Sequence, residues 1–165
     1  MAASALLLIT LASLLACDDP DRDVDPNVPV HVSVVGVDEH DLPVVVLQEE
    51  DGARWLPIWI GTAEARSIAL EMKQQPALRP NTHDLAEQLI LGLEGEMVRV
   101  VVTELRNGTY FAMIVLHSAS GTIEIDARPS DAIAIALRLE APIFVRSSLL
   151  DGERTEPVVG PERTI

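Results

Sequence analysis

The chain has one cysteine, Cys17, among its 165 residues, so no disulfide forms within it and no paired-cysteine zinc site is available. It is also short of positive charge. Twelve Lys and Arg stand against 26 Asp and Glu, a formal net charge of −14 at pH 7. Binding a polyanion normally draws on Lys and Arg, so this balance argues against a broad electrostatic footprint for nucleic acid. Motifs that would name a hydrolytic chemistry outright are missing too. There is no Gly-rich phosphate loop, no Gly-x-Ser-x-Gly elbow, no His-Glu-x-x-His pair and no His-Asn-His cluster. Glu71-Met72-Lys73 is a lone Glu-x-Lys inside a helical stretch, without a preceding Pro-Asp strand.

What is present describes one domain with a real core: 165 residues, 48% of them hydrophobic. Ala5 to Ala16 is a largely apolar run of 12 residues, interrupted only by Thr10 and Ser13, the length of a signal-peptide core and too short to span a bilayer as a helix. It ends Leu14-Leu15-Ala16-Cys17, which resembles the bacterial lipobox, where a cysteine after a small residue is lipidated. Residues 1–16 are therefore expected to be a signal peptide and Cys17 the lipidation site, placing the protein in the cell envelope on a membrane anchor. Met1-Ala2-Ala3-Ser4 departs from that pattern in lacking positive charge. Most of the acidity is local. Residues 17–51 hold 11 acids and one base, a balance of −10, whereas residues 52–146 hold 11 acids and nine bases, a balance of −2. Residues 17–29, with Pro20, Pro26 and Pro29, read as an acidic linker.

Structure is expected to start near Val30. His31 to Val37 and Val44 to Glu49 are β-branched runs, and Asp51-Gly52 is a turn leading into a strand from Arg54 to Ile60. There Trp55, Pro57 and Trp59 share one face and Leu56, Ile58 and Ile60 the other, so at least one face meets a helix or a partner subunit. Pro57 places this strand at an edge. Ala65, Ile68, Ala69 and Met72 then mark the buried face of a helix ending at Gln75-Pro76. A second helix runs to about Leu93. Asn107-Gly108 joins strands from Met97 to Arg106 and from Thr109 to His117, and Thr122 to Asp126 completes a meander. A third helix, Asp131 to Leu139, is apolar nearly all round and so is expected to be buried. Pro142 to Arg146 is a last strand. The reading is an α+β domain over residues 30–148, with a mixed, largely antiparallel sheet, about three helices and a flexible tail over 149–165.

The polar chemistry gathers at two helix starts, Arg79-Pro80-Asn81-Thr82-His83-Asp84 and Asp126-Ala127-Arg128-Pro129-Ser130-Asp131. Ser130 in one and Thr82 or Asn81 in the other suit an N-cap, and Asp131 and Asp84 suit the positive helix end. Capping leaves Asp126, Arg128, Arg79 and His83 over. Asp126 and Asp131 brought together across the Arg-Pro-Ser turn would hold a divalent cation such as Mg²⁺ or Mn²⁺, with Arg128 or Arg79 clamping a phosphate. His83 would serve as general base or ligand, or simply as an exposed group at a helix start.

These residues carry a resemblance. Leu56-Pro57-Ile58-Trp59-Ile60-Gly61 with Glu64-Ala65, then Arg79-Pro80 with Thr82-His83-Asp84-Leu85, then Asp126 to Ala134, and Ala141-Pro142-Ile143-Phe144-Val145 are similar to the bifunctional nuclease domain family, in order and spacing from about Val30 to Ser148. The resemblance implies an α+β domain that forms homo-oligomers and acts as a nuclease on DNA and RNA. It implies as candidate site residues Glu64, Arg79, Thr82, His83, Asp84, Asp126, Arg128, Ser130 and Asp131. The competing expectation is a non-catalytic oligomeric module of the cell envelope, in which these groups are caps and interface salt bridges and the Trp55/Trp59 face is the subunit contact.

Overall fold

The computed structural model describes residues 26–75 and 77–150. The expected signal peptide, Cys17, the linker up to Asp25 and the tail from Asp151 onward lie outside the described residues.

Seven strands form one sheet: β1 (Asn27–Val37), β2 (Pro43–Glu49), β3 (Trp55–Trp59), β4 (Glu96–Arg106), β5 (Thr109–Ser118), β6 (Gly121–Ala127) and β7 (Ile143–Arg146). Their order is β3-β2-β1-β7-β4-β5-β6. Every pairing is antiparallel except β4 with β7, which run parallel from Val100↔Ile143 to Val102↔Val145. Three helices, α1 (Thr62–Met72), α2 (Thr82–Gly92) and α3 (Pro129–Arg138), complete the α+β domain.

Local chemistry fixes the joints. Asn107 and Gly108 have φ of 52° and 76°, the two left-handed residues a tight hairpin needs to follow strand twist. Pro57 lies on β3, an edge strand, where a missing amide donor costs no ladder bond on the open side. Pro29 lies inside β1, but β1 pairs there only with β7, since its pairing with β2 starts at Val30.

Alternation sorts the sheet into two faces. Val45, Leu47, Leu56, Ile58, Val100, Val102, Ile114, Leu116, Ile143 and Val145 point to the helices and join Ala65, Ile68 and the run Ala132 to Ala136 in one core. The α3 run is buried as its all-round apolar character requires.

Three boundaries differ from expectation. β1 begins at Asn27, because Asn27 to Val30 finds a partner in β7 that lies more than 100 residues away and leaves no local signal. The chain stays packed past Ser148: Ser147–Leu149 form a 3₁₀ turn, Leu149 packs on the core and Leu150 is buried in it. Met72, expected on the buried face of α1, is exposed because the helix ends there. Of the tryptophan face of β3, Trp55 is buried, and exposed Trp59 donates its indole N–H to Asp38 at 2.9 Å.

The first and last described segments are neighbours. β1 pairs with β7, and the Ser147 amide donates to the Pro26 carbonyl at 2.9 Å.

Candidate active site at the junction of three helices

The three helices meet side by side, α3 touching both α1 and α2, and their polar residues converge between them. α2 is oriented by a capping box. Asn81 Oδ1 accepts from the amides of His83 (2.7 Å) and Asp84 (3.1 Å), while Asp84 accepts from the Asn81 amide at 2.7 Å. Asn81 is thus the cap, and Thr82 is the first helical residue, exposed on the cleft rim. The cap turns His83 inward, where it is 8% exposed.

α3 starts differently from the expectation. Its N-cap position is Arg128, whose side chain makes no capping bond, and Pro129 opens the helix. Proline has no amide to satisfy and its φ is already helical, so it does the work assigned to Ser130. Ser130 is instead buried in the first turn. Arg128 is left free to reach sideways.

It reaches two carboxylates. Arg128 donates from Nε to Asp131 Oδ2 at 2.7 Å, and its Nη2 donates to Asp131 Oδ1 at 2.9 Å and to Glu64 Oε1 at 2.7 Å. Glu64 folds back over the start of its own helix, so closely that a Cβ at Gly61 would collide with its carboxylate. Asp131 Oδ1 also faces His83 Nε2 at 3.1 Å, and the other ring nitrogen, Nδ1, lies 2.9 Å from Ser67 Oγ. Ser67 Oγ in turn accepts from Arg138 Nη2 at 3.0 Å. Arg138 is 3% exposed along its side chain and is held by Asp84 Oδ1 and the Ala134 carbonyl, both at 2.7 Å.

The result is one hydrogen-bonded chain, Asp84–Arg138–Ser67–His83–Asp131–Arg128–Glu64, that crosses all three helices. It runs along a cleft of about 410 Å³ lined among others by Glu64, Arg66, Ser67, His83, Arg128 and Asp131. Burial alone would raise the Asp131 carboxyl, but hydrogen bonds from Arg128 and His83, with the Arg128 charge, outweigh it and hold it below the ordinary 3.8. Asp84 is likewise held low, burial being outweighed by the Asn81 amide and Arg138. Arg128 is pushed further up by its bonds to Asp131 and Glu64 and stays a cation.

Five of the nine candidates, Glu64, His83, Asp84, Arg128 and Asp131, belong to this chain. Asp126 does not. It pairs with Met113 on the sheet face turned away from the helices, and its carboxylate makes no hydrogen bond or ion pair among the described residues. The Asp126–Asp131 cation pair is therefore not formed: strand alternation sends one carboxylate to the outer face, and the turn at Pro129 carries the other to the helix side. Arg79 is exposed in the loop before α2, outside the cleft lining. Sequence reasoning passed over Ser67, Arg66 and Arg138. Ser67 is a small polar residue next to the core positions of α1, and Arg138 a lone cation closing an apolar helix; that mismatch was their only signal.

A divalent cation does not fit these residues as they stand. Glu64 and Asp131 already share the Arg128 guanidinium, and no group of three or more His, Cys, Asp or Glu has metal-holding geometry among the described residues.

The bifunctional nuclease domain family matches residues 45–157. An uncharacterized protein of Mycobacterium tuberculosis is 42% identical over 122 residues, covering 72% of this chain and 73% of that protein. Bifunctional nuclease 1 of Arabidopsis thaliana is 34% identical over 120 residues, covering 68% of this chain and 36% of the relative. Bifunctional nuclease 2 of Oryza sativa subsp. japonica is 31% identical over 121 residues, with 68% and 37% covered. With that match spanning most of the described domain and its three-helix junction, the chain belongs to the bifunctional nuclease domain family.

Proposed function

We propose that the chain hydrolyses phosphodiester bonds in DNA or RNA at the cleft between α1, α2 and α3. The observation that carries this reading is the placement of His83. It is buried, its two ring nitrogens are engaged by different elements, and its ring forms part of the cleft wall. A histidine oriented in this way, with a carboxylate on one nitrogen, is equipped for proton transfer. Arg66, exposed on the cleft lining, and Arg128 at its mouth supply positive charge for a phosphate. The plant relatives named bifunctional nucleases support the substrate class.

On this reading the metal-assisted route expected from the aspartates gives way to proton transfer by His83 and charge stabilisation by the arginines. The test is cleavage of labelled single- and double-stranded DNA and RNA by the purified chain in EDTA, Mg²⁺ or Mn²⁺. Activity is expected to survive EDTA, and His83→Ala is expected to lower it about 10²–10⁴-fold, the usual contribution of a positioned acid–base group. Asp126→Ala is expected to match wild type. A folded His83→Ala variant that cleaves at the wild-type rate would remove the reading in favour of the non-catalytic module.

We also propose that Cys17 carries a lipid that holds the domain on a cell-envelope membrane after removal of residues 1–16. The apolar run ending at the only cysteine supports this. No helix among the described residues is long and apolar enough to cross a membrane. Incorporation of a labelled fatty acid that is lost in Cys17→Ser tests it. Self-association is proposed as well, supported by Leu85 and Leu89, one turn apart on α2 and both more than half exposed. Sedimentation of wild type against Leu89→Glu tests that.

A further inference from the structure

We propose that Ser67 is the nucleophile of this cleft, and that cleavage passes through a covalent phosphoseryl intermediate. The substrate in this proposal rests on the nuclease reading; the nucleophile rests on geometry alone.

Ser67, His83 and Asp131 stand in the relation of nucleophile, base and orienting carboxylate. The distances are 2.9 Å from Ser67 Oγ to His83 Nδ1 and 3.1 Å from His83 Nε2 to Asp131 Oδ1. The three come from three helices, and such a constellation is recognised by geometry, whatever the sequence order. Proton accounting fixes the direction of each bond. An ionised carboxylate only accepts, so in the neutral imidazole the hydrogen sits on Nε2 and points to Asp131. Nδ1 then carries the lone pair. Arg138 only donates, so Ser67 Oγ accepts from it and is left with one hydrogen, which points at Nδ1. The arrangement is a serine hydroxyl already aimed at the base that would deprotonate it.

Arg138 adds the second requirement. Its guanidinium, locked by Asp84 and the Ala134 carbonyl, sits 3.0 Å from Ser67 Oγ, where it favours a developing negative charge on that oxygen. A serine inside a helix commonly bonds the carbonyl one turn back; Ser67 instead spends its hydroxyl on a different helix. Ser67 is 4% exposed and lines the same cleft as Arg66 and Arg128.

In the first half-reaction Ser67 Oγ attacks phosphorus, its proton passes to His83 Nδ1, and the P–O bond to the departing nucleoside breaks. That oxygen takes a proton from solvent. In the second, the hydroxide so produced attacks the phosphoseryl phosphorus, the Oγ–P bond breaks, and His83 returns its proton to Ser67. The net change is addition of one water across the phosphodiester.

The probe is a fluorophosphonate, which phosphonylates an activated serine with loss of fluoride. The full chain is treated with it and the labelled peptide identified by mass spectrometry. Labelling at Ser67, suppressed by an oligonucleotide and lost in His83→Ala, is the expected result. In parallel, Ser67→Ala is expected to lower cleavage about 10⁴-fold or more, as removal of a triad nucleophile does. Acid quenching during turnover is expected to trap a nucleotide on wild type only. An unlabelled Ser67, or a folded Ser67→Ala variant that cleaves within a few-fold of wild type, overturns the proposal. Labelling of Ser67 in a chain that cleaves neither DNA nor RNA upholds the nucleophile and removes the nuclease reading instead.

Discussion

At Asp131 a single carboxylate answers to two helices. Oδ2 takes Arg128 Nε, while Oδ1 takes Arg128 Nη2 and His83 Nε2. Together with Asp84 on Arg138, it makes the fold sensitive to acid in a defined direction. Both carboxyls are held below 3.8 in the folded chain, so their contribution to stability is complete above that value and is lost as pH falls through the folded values. Melting temperatures measured from pH 5 downward are expected to fall less steeply for Asp84→Asn than for wild type. Equal slopes would mean that Asp84 titrates alike in both states. Which site residues could be read from the sequence follows from where each one sits. His83, Asp84, Arg128 and Asp131 lie at helix starts next to proline, where polar groups interrupt the apolar pattern and call for an explanation. Ser67 and Arg138 lie within helices whose periodicity predicts only burial, and their partners are 16 and 71 residues away. No local pattern encodes such pairings.

Among the elements, α2 depends most on its first turn. Its reciprocal cap satisfies three amides and sets the direction in which His83 enters the junction. Asn81→Ala is expected to cost about 1 kcal/mol in urea unfolding, the usual value of a lost N-cap. Activity is expected to fall by more than that stability loss explains, because the freed turn no longer aims His83. Retention of full activity would show that the cap serves only stability. The strands and hairpins were far more legible than this junction. Asn107-Gly108, the alternation in β3 and the apolar run of α3 each carry their signal within a few residues. The pairing of β1 with β7 and the parallel step between β4 and β7 join distant segments, and no short window contains them.

For the molecule as a whole, positive charge is sparse, and Arg66 and Arg128 bring two of its cations to the cleft. If Arg66 and Arg128 are the phosphate contacts, affinity for nucleic acid is expected to depend weakly on salt. Two contacts give a slope of log K against log salt of roughly −1.4 on single strands and −1.8 on duplex DNA. Fluorescence anisotropy across a salt series measures it. A slope beyond about −4 would require a basic surface that residues 52–146, at a balance of −2, do not offer. Compactness has a further consequence through the adjacent ends. Ser147 bonds Pro26, so the backbone arrives and departs at one spot on the sheet. A unit whose two ends touch behaves like a bead on a short loop: it can be set into the middle of a longer polypeptide without prising apart whatever lies on either side. The Arabidopsis relative, of which this chain covers 36%, is long enough to carry such a bead, whereas a domain with ends on opposite sides would have to bridge its own width.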